Sequence, residues 1–274
     1  MTALQIKAKI TRKERLTSDI VRLTMVAPEL AAQAKPGQFL MVKAADNHEP
    51  LLRRPFSIHQ ATSSGQVQIL FKVVGKGSSF LAGREVGDVL DLIGPLGHGY
   101  DLPKASGGNI CLVGGGMGCA PLYFLSKLLV KEQDDNRLQV YLGAATGREL
   151  AKVKGDFDDL GAEVFAATDD GSLGYHGYVT DLVAKSLDRG RHWQVYSCGP
   201  QPMLKKVADL CAAENWACQV SLETMMACGI SACLGCTVRT SSANFRRSNK
   251  QFLHVCKDGP VFDSGDVAWS SEKK

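Results

Sequence analysis

Up to about residue 102, apolar positions alternate with polar ones in short runs broken by turn residues: LQIKAKITRK, IVRLTMVAP, GQFLMVKA, FSIHQAT, VQILFKVVG and DVLDLIG. A period of two turns one face of each run toward a core and the other toward water, which is the pattern of a half-buried strand. Several such runs at near-regular spacing predict an antiparallel barrel. The intervening ELAAQAKPGQF and FLAGREVGD read as turns or short helices.

From about residue 103 the pattern changes. NICLVGGG is a continuous apolar run ending in glycines, and APLYFLSKLLVKEQ after it has helical periodicity. The short apolar runs LQVYLGAA, AEVFAAT, WQVYSCGP and ACQVSLE follow, with the helical patterns DLVAKSLDR and QPMLKKVADLCAAEN among them. Strands alternating with helices predict a parallel, doubly wound sheet. From about residue 219 periodicity fades into cysteines, serines and the basic loop SSANFRRSNK. A segment that cannot build its own apolar core needs a staple. Three segments are therefore expected: 1–102, 103–218 and 219–274. No internal repeat is visible.

The length of 274 residues agrees with more than one domain. A net charge of +4, with no basic block interleaved with aromatics, argues against a nucleic-acid partner. No run approaches the roughly 20 apolar residues of a membrane span. The first residues, MTALQIKAKITRKERL, read as a strand rather than a targeting signal, which points to the cytoplasm. Nine cysteines in a reducing compartment suggest metal or redox chemistry rather than a disulfide framework.

Cys228, Cys233 and Cys236 form a C-x4-C-x2-C array, and Cys256 follows in HVCKDGPVF. Three close cysteines with a later fourth have the spacing of plant-type [2Fe–2S] ferredoxins. Gly229, Ser231, Ala232 and Gly235 let the backbone wrap closely around the sulfurs, and glycine permits positive φ. A structural zinc and buried, unligated thiols are the alternatives; zinc more often takes two C-x2-C pairs, and only one is present. Cys111, Cys211 and Cys218 lie in apolar contexts and read as core residues.

RRPFSIH places an arginine, Phe56 and Ser57 on one strand, a combination suited to a flavin: guanidinium for pyrophosphate, ring for stacking, hydroxyl for a polar edge. In LFKVVGKGSSFL, Lys72 adds charge, and Gly75, Gly77, Ser78 and Ser79 make a turn that presents backbone N–H groups. CLVGGGMGCAPLYFL departs from the ordinary G-x-G-x-x-G fingerprint because Cys119 takes the third glycine position. It reads as a related loop in which Gly114, Gly115, Gly116 and Gly118 admit a pyrophosphate, with Pro121 in the first helical turn. SCGPQPML ends another strand at the same sheet edge, so Cys198, Gly199 and Pro200 border the expected nicotinamide position, with Met203 starting the next helix. Arg148 is a candidate for a 2′-phosphate.

RPFS, GKGSSFL, GGGMGCAPL, ATDDGSLGYHGYVTDL, CGPQPML and ACGISACLGCTV…VCKDGPVF occur in this order over roughly residues 5–267. Together they resemble the electron-transfer subunits of NAD-dependent (type B) dihydroorotate dehydrogenases, within the ferredoxin–NADP reductase superfamily. The resemblance implies an FAD-binding barrel, an NAD-binding α/β domain and a small [2Fe–2S] module. It implies FAD contacts at Arg54, Pro55, Phe56, Ser57, Leu70, Phe71, Lys72, Gly77 and Ser78, and cluster ligands at Cys228, Cys233, Cys236 and Cys256. It also implies a separate FMN-containing dihydroorotate dehydrogenase catalytic subunit, assembled as a heterotetramer, that passes electrons through the cluster and FAD to NAD⁺. No general acid or base is expected in this chain, because the cofactors carry the chemistry. Ser231 stands where the family has glycine, Met226 where a basic residue is usual, Cys119 at an aliphatic position and Ser78 in place of threonine. Met225, Met226, Ile230 and Leu234 surround the cysteines as a candidate partner surface. Rival readings are an NAD(P)H-dependent ferredoxin reductase, a hydrogenase diaphorase subunit, and a non-enzymatic zinc-stapled interaction module.

Overall fold

In the computed structural model, which describes residues 3–45, 49–103, 107–132 and 137–269, the alternating runs close into a barrel. Strands β1 (Leu4–Arg15), β2 (Ile20–Val26), β3 (Phe39–Val42), β4 (Arg54–Ala61), β5 (Gln66–Lys72) and β6 (Val89–Leu96) pair antiparallel in the order β1-β2-β5-β4-β3-β6, and β6 returns to β1. Ile10, Leu23, Leu40, Ile58, Ile69 and Leu92 fill the barrel core. The segments expected as turns or short helices carry α1 (Pro28–Gln33) and α2 (Lys76–Ala82).

The second half is a sheet built from β7 (Asn109–Gly115), β8 (Arg137–Ala144), β9 (Glu163–Thr168), β10 (Tyr175–His176), β11 (Trp193–Cys198) and β12 (Ala217–Ser221), all parallel. Helices α3 (Cys119–Glu132) and α4 (Gly147–Asp158) cover one face, while α5 (Val179–Ser186) and α6 (Gln201–Ala213) cover the other. The architecture is thus an antiparallel barrel, a doubly wound α/β domain and a cysteine module. Helix α4 is the element the hydrophobic pattern does not announce. Its buried stripe is only Leu150, Val153 and Phe157 on a charged background. The signal that marks it is Thr146, whose side chain accepts from the Glu149 N–H as an N-cap.

The cysteine segment contributes a hairpin of β13 (Thr237–Arg239) and β14 (Phe252–His254), the short helix α7 (Ser242–Ser248) and β15 (Val261–Asp263). Its last residues, 270–274, lie outside the described ones. Strand β15 adds antiparallel to β12, and β12 itself runs across residues 218 and 219. A segment too small to bury its own core borrows one, and here Leu253, Val255, Phe262 and Val267 pack into the core of the sheet. No helix among the described residues is long and apolar enough to cross a membrane.

In the sheet order β10-β9-β8-β7-β11-β12-β15, the chain winds outward from β7 in both directions. The switch point lies between β7 and β11, and crevices at the carboxyl ends of such strands receive ligands. In the register, Gly114 of β7 faces Cys198 of β11. The two loops singled out by sequence therefore meet at this point.

Candidate functional site

The first cleft lies between the barrel and the sheet. Arg54, Pro55, Phe56 and Ser57 are four consecutive half-buried residues at the start of β4, whereas the next three are buried. A barrel strand covered by its own protein does not leave such a run open. Phe39, Pro55, Phe56, Ser57, Leu70, Phe71 and Lys72 line one wall of a cleft of about 320 Å³. Met117 of the glycine loop, Ala120 in the first turn of α3 and the stretch from Ser221 to Thr224 close the other side. A second lobe of about 290 Å³ shares Pro55, Phe56, Lys72 and Val74 with the first and continues along Arg54 and Gly75–Ser78. An elongated, two-lobed cleft of this kind fits the extended shape of FAD. The buried Thr224 hydroxyl, on the inner lobe, has no protein partner and is available to a polar ring edge.

Two of the predicted side chains are engaged elsewhere. The Ser78 hydroxyl accepts from the Val74 and Gly75 N–H groups and donates to the Gly75 carbonyl. Its contribution to the outer lobe is therefore to shape the turn. The Lys72 ammonium pairs with Glu149 of α4 at 2.7 Å and Asp19 at 3.5 Å, which raises its pKa. Lys72 thus presents its stem to the cleft and ties the barrel to the sheet. Arg54 packs across Gly77, where a Cβ would lie 2.9 Å from its Nε.

At the switch point the glycines are required by crowding. A Cβ on Gly118 would lie 2.0 Å from the Cys198 carbonyl oxygen, and one on Gly115 would lie 2.5 Å from the Met203 sulfur. Gly116, at φ +54°, has open space before it. Gly115, Gly116, Gly143, Asp169, Thr180 and Pro200 are among the residues lining a cleft of about 500 Å³ at the carboxyl edge of the sheet. The buried Thr180 hydroxyl there lacks a protein partner, as suits a wall that meets a polar ligand. Cys198 is placed differently from its neighbours: its thiol is buried and its pKa is raised, chiefly by that burial. It supports the loop from beneath through its carbonyl. Arg148 is exposed and directs its guanidinium to the Ser18 hydroxyl at 3.2 Å rather than into the cleft.

The third site is the cysteine loop. Gly229, Ser231 and Leu234 all take left-handed backbone, at φ +71°, +63° and +57°, which wraps the chain around its sulfurs. The β13–β14 register pairs Thr237 with His254, and Val255 N–H donates to the Cys236 carbonyl, so the hairpin returns Cys256 to the side of Cys236. Two of the sulfurs accept backbone N–H groups. Cys233 N–H donates to Cys228 Sγ and Cys256 N–H to Cys236 Sγ, each at 3.4 Å. Burial pushes the Cys228 thiol up, but the N–H groups of Cys233 and Ile230, the Cys233 thiol and the Ala232 N–H outweigh it and bring the pKa down to about 7. Four cysteines brought together by one loop and one hairpin suit the four-thiolate set of a [2Fe–2S] cluster. Met225, Ile230 and Leu234 are exposed at 90%, 53% and 56%, whereas Met226 is buried and lines the flavin cleft instead of the surface.

Comparison with known proteins supplies the family. The dihydroorotate dehydrogenase B (NAD(+)) electron transfer subunit of Desulforamulus reducens is 41% identical over 244 residues, covering 89% of this chain and 90% of that one. The chain belongs to this family. The relative of the same name from Caldanaerobacter subterraneus is 37% identical over 265 residues, covering 96% and 98%. Residues 7–100 match the oxidoreductase FAD-binding domain and residues 112–209 the oxidoreductase NAD-binding domain. Residues 223–268 match the iron–sulfur cluster binding domain of dihydroorotate dehydrogenase B. The cofactors of this family member are thus FAD, NAD and an iron–sulfur cluster. A solved structure of an NADH-dependent reduced ferredoxin–NADP oxidoreductase, described for flavin-based electron bifurcation, superposes with a TM-score of 0.80 at 30% identity, covering 96% of this chain and 90% of that one. The Neisseria gonorrhoeae ferredoxin NADP⁺ reductase, at 16% identity, TM-score 0.64 and coverage of 77% and 91%, shares the fold.

Sequence reasoning found the family's loops and missed the far walls of its clefts. Thr224, Met226 and Pro260 of the flavin cleft lie just outside the quoted motifs or inside the cysteine segment. Asp169 and Thr180 of the nucleotide cleft lie within ATDDGSLGYHGYVTDL, a stretch that marks the family but has no spacing that assigns a role.

Proposed function

We propose that this chain is the electron-transfer subunit of a dihydroorotate dehydrogenase complex, serving orotate formation in pyrimidine biosynthesis in the cytoplasm. One observation carries the reading: the flavin cleft lies between the other two sites. Its walls include Met117 of the glycine loop and Ala120 just after it on one side. On the other are Met226, two residues before Cys228, and Pro260, four after Cys256. When bound, the cluster supplies one-electron relay, FAD gathers electrons in pairs, and NAD⁺ accepts them as hydride.

The residues divide by segment, 1–102, 103–218 and 219–274. Arg54, Gly77 and Ser78 shape the phosphate lobe, while Pro55, Phe56, Ser57, Leu70, Phe71 and Lys72 form the flavin wall. Gly114, Gly115, Gly116 and Gly118 admit the nucleotide pyrophosphate, and Cys198, Gly199 and Pro200 support the nicotinamide end. Cys228, Cys233, Cys236 and Cys256 hold a [2Fe–2S] cluster. Asp169, an anion on the nucleotide cleft, favours a ribose hydroxyl over a 2′-phosphate and so NAD over NADP. The exposed Met225, Ile230 and Leu234 around the cysteines suit the docking face of an FMN-containing catalytic subunit, in a heterotetramer of two copies of each chain.

The likeness to a ferredoxin–NADP oxidoreductase keeps a second reading in view, in which the partner is ferredoxin-linked. Assay of the purified complex separates them. Orotate formed from dihydroorotate with NAD⁺, and lost when the catalytic subunit is removed, supports the proposal. A complex that reduces ferredoxin but forms no orotate would refute it.

A further inference from the structure

His59 lies at an irregularity in the β4–β5 ladder, between the pairs Ile58↔Ile69 and Gln60↔Gln68. Such bulges re-aim a side chain. Here the imidazole leaves the barrel and enters the contact with the nucleotide half. It is fully buried, its Nδ1–H donates to the Ala120 carbonyl at 3.1 Å, and its ring stacks on Tyr123 at 4.6 Å and 19°. Tyr123 in turn packs edge-on against Phe157 of α4, at 5.4 Å.

Two features set this contact apart from ordinary packing. Ala120 sits in the first turn of α3, directly after the glycine loop, and faces the flavin cleft across from Ser57. The imidazole Nε2 is also buried without a partner. An unpaired buried nitrogen is destabilising, and a phenylalanine would fill the same space without one. What an imidazole adds is a directional bond from the flavin strand to the nucleotide loop.

We propose that His59 is a positioning residue that holds the glycine loop at a fixed approach to the flavin wall, and so sets how a bound nicotinamide meets the flavin. This rests on FAD occupying the cleft between β4 and Ala120. Other side-chain ties between the halves, Arg22 to Asp156, Lys72 to Glu149 and Arg148 to Ser18, join the barrel to α4 and not to the loop.

The test uses the FAD-loaded complex, mixed anaerobically with NADH. It reads flavin reduction rate, NADH affinity and the long-wavelength charge-transfer absorbance of the nicotinamide–flavin pair. His59→Phe keeps the ring and loses the bond. It is expected to retain FAD and iron and to bind NADH within about threefold of the parent, while flavin reduction slows by roughly tenfold or more and the charge-transfer band weakens. His59→Gln, which restores a donor, is expected to recover much of both. A His59→Phe complex with the parent's rate and band would overturn the proposal. Should that variant not fold, Tyr123→Leu carries the test by unpinning the imidazole: about threefold slower reduction supports it, and an unchanged rate overturns it. A parent complex whose flavin is not reduced by NADH would sink the cleft reading itself, and this proposal with it.

Discussion

The loop at Gly114–Gly118 and the loop at Gly229–Gly235 both bring backbone close to a charged group, but they keep their shapes differently. The first is locked by neighbours: the Cys198 backbone leaves no room for a side chain on Gly118, while Met203 and Leu142 crowd Gly115 and Gly114. It is built on the end of a central strand in a buried sheet. The second has little above it. Ala232, Cys233, Leu234 and Gly235 are exposed, and two of its three left-handed positions are non-glycine. Its anchors lie beneath, where Met41 of the barrel packs against Gly229 and the hairpin returns Cys256. The nucleotide loop is therefore preformed by packing, whereas the cysteine loop relies on the group it holds.

The largest effect that follows is on the second loop. Cys233→Ser removes one of four thiolates and is expected to abolish the cluster, with iron and sulfide lost and FAD retained. Elemental and flavin analysis of anaerobically purified protein checks it. Hydrogen exchange should then rise across residues 223–268 and stay unchanged in the barrel. Zinc in place of iron in the parent would contradict the assignment.

The first loop should fail the other way, losing function without losing cofactor. Gly118→Ala places a methyl 2.0 Å from the Cys198 carbonyl oxygen, a backbone atom that cannot swing aside. NADH-dependent reduction of an artificial acceptor is expected to fall by roughly a hundredfold as the loop is displaced, with FAD and iron content unchanged. A variant that keeps the parent's activity would show that this loop is as pliable as the other.

His59 sharpens the contrast, since it ties the nucleotide loop to the barrel. Burial holds its imidazole pKa down to about 3, from 6.5 when free. Between these values the unfolded chain binds the extra proton, so stability falls as pH drops through 6.5 toward 3. At pH 5 that loss is about 2 kcal/mol, and His59→Phe should remove it. Urea midpoints of parent and variant at pH 7.5 and pH 5 measure it. Equal acid sensitivity would mean that the imidazole is not sealed.

Strands and loops with a local signature were legible in the sequence. The six barrel strands follow from period two, and the cysteine array proposed to hold the cluster stands out by its spacing. What was hidden depends on distant pairing. Nothing local in VFD announces that β15 completes the nucleotide sheet, because its partner β12 lies some forty residues earlier. Lys72 reads as a cofactor cation until the fold places Glu149 beside it. Met226 reads as surface in an apolar stretch until the cleft closes over it. Local chemistry pointed to the loops proposed as sites, and tertiary neighbours decided which side chains face the clefts.

Ser231 yields the smallest and most discriminating effect. At φ +63° it occupies backbone that costs an ordinary residue roughly 1–2 kcal/mol. Its N–H also helps to lower the Cys256 thiol pKa, although burial and the neighbouring Cys236 thiol push that pKa up to about 12 overall. Ser231→Gly keeps the N–H and relieves the backbone, at the expense of some extra chain entropy when unfolded. The net gain is about 0.5–1 kcal/mol. If the cluster loop opens before it releases iron, a chelator should strip iron about two- to fivefold more slowly from Ser231→Gly than from the parent. Faster stripping would show that the serine hydroxyl supports the loop by a contact that outweighs its strain, and that the cysteine loop, like the nucleotide loop, is held by protein contacts.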